Sequence, residues 1–200
     1  MRSFLKFGAF LAFVVAVVGC GSPPQVELDA AQAALDSARQ AGADTYAADA
    51  YNRAKNTLAD AKAKSEQGNY EEAKTAAVQA KDQADQAKSL AETTKTRLRD
   101  EAQAIVNRVS NAIGDARAAV DGAPRGKGAD SDLDQLRADL GQAEAALGDA
   151  RGSLNNGSFN SALEQAKSAE SKLNQVQSAV QVAMKKIEDW KMKNRPWYEL

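Results

Sequence analysis

Histidine is missing from this 200-residue chain, and cysteine occurs once, at Cys20. Without imidazole there is no side chain whose ordinary pKa suits general acid–base work at neutral pH, and zinc loses its two usual ligands as a set. A lone cysteine excludes any disulfide within the chain. Aromatics are scarce (two Trp, four Tyr and five Phe), and prolines number only four. A thick globular interior built on large side chains is therefore excluded. Neither charge sign prevails, with 26 Lys and Arg against 27 Asp and Glu. That balance gives no basic face for nucleic acid and no general pull toward anionic lipid. The chain has instead 42 alanines. Alanine favours helix more than any other residue but buries little area. Stability must then come from helices whose backbones approach closely.

The one continuous apolar run, Phe7 to Val18, is too short for a permanent bilayer span of ~20 residues. It follows Arg2 and Lys6 and ends at Val17-Val18-Gly19-Cys20, the pattern of a bacterial lipoprotein signal with its cut before cysteine. Residues 1–19 are thus expected to be a signal peptide, with Cys20 acylated on its thiol and its freed amine. Acyl chains contribute about 0.8 kcal/mol per buried methylene, so several on one residue anchor the chain to a membrane. Acylation also removes the last thiol, and with it thiol catalysis. Removal of Arg2 and Lys6 leaves 24 cations against 27 acids, a mildly acidic mature chain. Gly21 in place of aspartate favours the outer membrane, with the protein facing the periplasm. In a host with one membrane, the same cysteine tethers it to the outer face. Residues 20–26 form a short tether containing Pro23-Pro24.

Beyond the tether, small and apolar residues recur at alternating spacings of three and four, the seam of packed helices. A first helix begins near Val26 or Glu27, runs through Leu28, Ala31, Leu35 and Ala38, and stops at Gly42. Asp44 is a candidate N-cap for a second, with seam Ala47, Tyr51, Ala54, Leu58 and Ala61, ending at Gly68. From Asn69 the seam runs Ala73, Ala77, Ala80, Ala84, Ala87, Ala91, Thr94 and Leu98. It then slips and resumes at Ala102, Ile105, Val109, Ala112, Ala116 and Val120. A slip of this kind relaxes supercoiling without breaking a helix. With no Pro or Gly between Asn69 and Ile113, one helix of about 50 residues is expected. A break near Glu92-Thr93-Thr94, where helix propensity dips, is the alternative.

The stretch Gly122 to Asp130 is the clearest loop. A fourth helix capped by Asp130 or Ser131 carries Leu133, Leu136, Leu140, Ala143, Leu147, Ala150 and Leu154, and Gly157 ends it. Ser158 opens a fifth, seamed by Phe159, Ala162, Ala166, Ala169, Leu173, Val176, Val180, Ala183, Ile187 and Trp190, with Pro196 closing the helical part. The two halves share a repeat at an offset of 89. Leu58-Ala-Asp-Ala-Lys62 and Gly68-Asn-Tyr70-Glu-Glu-Ala73 match Leu147-Gly-Asp-Ala-Arg151 and Gly157-Ser-Phe159-Asn-Ser-Ala162. Each copy is a helix, a glycine turn, an aromatic at the tip, and a second helix entered through alanine. Tetratricopeptide turns look similar, but their ~34-residue period is absent.

Ala31, Ala34-Leu35, Ala38-Arg39, Ala41-Gly42-Ala43, Tyr46-Ala47, Tyr51, Ala54, Leu58, Ala61 and Gly68-Asn-Tyr70-Glu-Glu-Ala73 resemble the bacterial family named domain of unknown function 4398, over Leu28 to about Leu90. Members resembling this are short Ala-rich helical lipoproteins, or envelope proteins that pair the module with other domains. The resemblance implies helix and envelope, and carries no activity and no catalytic residues. Where members often place proline soon after the tyrosine, this chain has Ala47-Ala48.

Three motifs invite a chemical reading. Gly126-Lys127-Gly128 lacks the preceding strand, the upstream glycine and the following Ser/Thr of a phosphate cradle, and a hairpin connection accounts for it. The acid pairs Glu71-Glu72, Asp130/Asp132 and Glu188-Asp189 are placed for solvated faces and helix starts, not a cleft. The C-terminal segment concentrates both tryptophans with Lys185, Lys186, Lys191, Lys193 and Arg195. Trp190 falls on the helix seam, as core. For Trp197 and Tyr198 two readings stay open: they cap the end of the bundle, or with Lys191, Lys193 and Arg195 they contact a partner, the cell wall or a membrane surface.

The expectation is an all-α protein: an elongated antiparallel helical bundle of coiled-coil hairpins, about five helices with a long central one. Residues 27–94 form a first Ala-rich bundle, 95–195 a second, and 196–200 an aromatic tail. No enzyme, cofactor, metal or nucleic-acid partner is expected. The membrane is met through the lipid, and other envelope proteins or a second copy through helical faces.

Overall fold

The computed structural model describes residues 22–125 and 129–195. Cys20, Gly126-Lys127-Gly128, Trp197 and Tyr198 lie outside the described residues. Within them the chain forms six helices and no strand: α1 Gln25–Gln40, α2 Ala43–Tyr46, α3 Ala48–Glu66, α4 Tyr70–Asp121, α5 Asp130–Asn155 and α6 Phe159–Lys193.

The sixth helix comes from the corner after α1. Gly42 takes φ +83°, and the next residues complete one helical turn before Ala47, at φ −145° and ψ 41°, breaks it. Asp44 therefore sits inside α2 and does not cap the following helix; its carboxylate pairs with Arg39 at 3.8 Å. Nor do Asp130 or Ser131 cap α5. Ala129 holds the N-cap position, and Asp130 begins the helix, where a carboxylate favours the N-terminal dipole. Ala123 and Ala129 are buried, so apolar contact seats that entry where a side-chain cap was expected. Asn69 and Ser158 do occupy N-cap positions, without a side-chain capping bond.

α4 is unbroken through Glu92-Thr93-Thr94 and 52 residues long, about 78 Å at ~1.5 Å per residue. Thr93 and Thr96 direct their hydroxyls to the carbonyls of Ser89 and Glu92, four residues back. Their hydrogen bonding is thus satisfied inside the helix, and the low local propensity does not open it.

Contacts between helices fix their directions. Lys74 pairs with Glu27 at 3.2 Å and Lys62 donates to Gln32 at 2.8 Å, so α1 starts beside the start of α4 and the end of α3. Farther along, Lys167 pairs with Glu101 and Arg108 with Glu170, setting α6 parallel to α4, while Arg137 meets Asp121 from the antiparallel α5. Each half is therefore an up-down-up bundle of three helices: α1, α3 and the first half of α4, then the second half of α4, α5 and α6.

The two cores differ in material. Around α1 and α3 the buried residues are almost all alanine, with Leu28, Leu35 and Leu58 the only larger ones. The core around α5 and α6 contains Leu133, Leu136, Leu140, Leu147, Leu173, Val109, Val120, Val176 and Ile187. Alanine seams let axes approach toward the ~8 Å end of the usual range, whereas leucine layers gain more from burial. On α4 the stripe turns through Ile113, which is buried, leaving Ala112 half-buried where the sequence placed the seam. Phe159, Val180 and Trp190 of the α6 seam are likewise half-buried.

The repeat is geometric as well as sequential. Gly68 and Gly157 take φ of 81° and 79°. Asn69 N–H reaches the Lys64 carbonyl at 2.9 Å and Ser158 N–H the Ser153 carbonyl at 2.9 Å, the six-to-one closure of a Schellman turn in both copies. Leu58 and Leu147, Ala61 and Ala150, and Ala73 and Ala162 are all buried.

Candidate functional site

The predicted C-terminal patch lies at the end of α6. Lys186 pairs with Asp132 at the first turn of α5, so the last turns of α6 run on past α5. Lys191 and Lys193 are exposed there, and Arg195 follows the C-cap Asn194, also exposed. Met192 between the lysines is 68% exposed. Cations at a helix C-terminus favour the negative end of its dipole, which accounts for the lysines with or without a ligand. Trp190 is half-buried on the same helix, and its carbonyl accepts from Asn194 Nδ2 at 2.8 Å. The structure thus brings Lys191, Lys193 and Arg195 to one end of the molecule.

Among the described residues no polar or charged side chain is buried. Glu71 and Glu72 lie in the first turn of α4 and Asp130 and Asp132 in that of α5. No three of the described acids converge as a metal-binding group. The shifted titrations are at the surface. Glu27 is held below the ordinary carboxylate range by its own backbone N–H at the start of α1, then by Lys74. Lys64 is raised by Asp60 and, less, by Glu72; Lys81 is raised by Asp85. A groove of about 540 Å³ between α1 and α3 is floored by Leu35 and Leu58 and rimmed by Arg39, Lys55 and Lys62. Both leucines are already buried, leaving a ligand little apolar surface to cover. No described helix is long and apolar enough to cross a membrane.

A second constellation lies where the two bundles meet. The Tyr46 hydroxyl donates to the Gly157 carbonyl at 2.9 Å and accepts from Phe159 N–H at 3.3 Å. The two rings stand 6.3 Å apart, tilted by 44°. Lys95 Nζ lies 5.4 Å from the Tyr46 ring centre, within cation–π reach. The sequence marks Phe159 as a turn aromatic and Tyr46 within the family resemblance, but nothing in a linear reading brings positions 111 and 113 residues apart into hydrogen-bond contact.

No curated protein and no solved structure matches the chain. Residues 26–104, the first bundle and the joint, match the family described as domain of unknown function (DUF4398), extending past the Leu28 to Leu90 stretch on which the resemblance rested.

Proposed function

We propose that the chain is a lipid-anchored bacterial envelope protein that acts without catalysis, as a spacer or adaptor presenting long helical faces to other envelope proteins or to a second copy. One observation carries the reading. The described chain enters beside the start of α4 and leaves beyond its other end, so α4 separates the two by about 78 Å. A tether at Cys20 would hold one pole at the outer membrane, or at the outer face of a single membrane, and display the other. The solvated carboxylates and the shallow grooves are in keeping with a surface that binds by shape and charge.

In-cell photocrosslinking from exposed positions of α4 and α6 tests this. Discrete protein adducts are expected in wild type, and their loss on Cys20→Ala would tie partner contact to the anchor. Palmitate labelling that is unchanged by Cys20→Ala would overturn the anchor.

The exposed Met192 between Lys191 and Lys193 favours a second reading, in which the far pole binds peptidoglycan or another envelope ligand through Lys191, Lys193, Arg195, Trp197 and Tyr198. Sedimentation with purified cell-wall sacculi, lost on combined Trp197→Ala and Tyr198→Ala substitution, is its expected signature.

A further inference from the structure

We infer that Tyr46 is a latch that closes the joint between the two bundles and fixes their relative orientation. Among the described residues, neither α1, α2 nor α3 packs its backbone on α5 or α6; only α4 belongs to both bundles. The buried stripe of α4 is interrupted at that level, with no buried residue between Ala91 and Leu98. Tyr46 is the one described apolar residue that packs against both the alanine core of the first bundle and the core of the second. Its hydroxyl bridges to the tip of the α5–α6 turn at Gly157 and Phe159.

The repeat supplies an internal control for what this contact does. The α3–α4 turn at Gly68 closes with the same backbone bonds, Gly68 N–H to Ser65 at 3.1 Å and Asn69 N–H to Lys64 at 2.9 Å. The α5–α6 turn has Gly157 N–H to Leu154 at 3.2 Å and Ser158 N–H to Ser153 at 2.9 Å. One copy forms this turn with a tyrosine seated on it and the other forms it without that bridge. Tyr46 is therefore not needed to make the turn; it joins the turn to the other bundle. The corner that carries it is built for the approach. Gly42 at φ +83° would place a Cβ 3.2 Å from Lys95 Cε and from Tyr46 Cδ2, so the corner closes onto α4 at this point. With the latch closed the two bundles act as one rod, and with it open α4 bends at residues 92–97, where no buried residue braces it.

Hydrogen exchange with mass spectrometry on the full chain in detergent micelles tests the latch, comparing wild type, Tyr46→Phe and Tyr46→Ala. Tyr46→Phe keeps the ring and removes only the hydroxyl. It should speed exchange around Phe159 roughly five-fold, the factor that one net hydrogen bond represents. Residues 92–98 should also exchange faster, while the Gly68 turn and both bundle interiors keep their protection. Tyr46→Ala should enlarge the same local pattern and broaden the distribution of long distances in small-angle X-ray scattering. Unchanged exchange around Phe159 in Tyr46→Phe would overturn the latch. So would loss of protection spread evenly through both bundles in Tyr46→Phe, since Tyr46 would then be a general core residue.

Discussion

Among the described residues three glycines with positive φ turn the chain, and their surroundings separate backbone strain from crowding. At Gly68 and Gly157 an added Cβ meets nothing within 4 Å. Alanine at either position should therefore cost only the left-handed penalty of about 1–2 kcal/mol, read from thermal or urea unfolding. Gly42→Ala adds contact with Lys95 and Tyr46 and should cost more than either. Size matters as sharply on the seams. Ala73 and Ala162 are fully buried, and Ala→Leu at either should destabilise by about 1–3 kcal/mol through overpacking. Leu133→Ala leaves a cavity instead and should cost about 2–5 kcal/mol. Charge gives a smaller, signed effect. The lowered pKa of Glu27 contributes stability at neutral pH that is lost as pH falls through its folded-state value. The raised Lys64 and Lys81 contribute below their unfolded values, and that stability is lost as pH rises through the folded ones. Glu27→Gln should flatten the acid limb of the stability profile slightly, and salt should weaken only the smaller Lys74 contribution.

Among the helices, α4 decides the architecture. Its seam was readable along the whole length because the spacing of small residues survives the slip at Leu98. Which side of Ala112-Ile113 turns inward was not, since both are apolar and only the positions of α5 and α6 choose between them. The kink at Ala47 was equally hidden. Nothing in Tyr46-Ala47-Ala48 disfavours helix, and the break follows from fitting the corner between α1 and α4. Proline at Thr94 removes a backbone donor in the middle of α4 and should cost about 3 kcal/mol or more. Scattering should then report a shorter or bent particle. Circular dichroism should fall only modestly, because both bundle interiors lie to either side of the substitution.

Taken as one molecule, the protein is a rod of two unequal bundles. The alanine core of the first buries less apolar area than the leucine- and valine-rich core of the second. Hydrogen exchange should find amides of α1 and α3 opening at lower free energy than those of α5, although α4 is shared. Equal opening free energies across α1, α3 and α5 would show that the joint couples the bundles into one cooperative unit. The family match spans the alanine-rich bundle and the joint and reaches Leu98 and Ala102 at the edge of the second core.

The amino-acid order settled the all-helical class, the glycine turns at Gly42, Gly68 and Gly157 and the repeat. Those follow from local rules, namely alanine's propensity, glycine's access to positive φ and the spacing of small residues along a face. The continuity of α4 and the extra one-turn helix after Gly42 were decided by the structure. The caps failed where apolar contact replaced a side-chain hydrogen bond, as at Ala129. The bridge from Tyr46 to Gly157 and Phe159 arose only on folding. It joins residues more than a hundred positions apart, and α4 had to be straight and both bundles packed against it before those groups could meet.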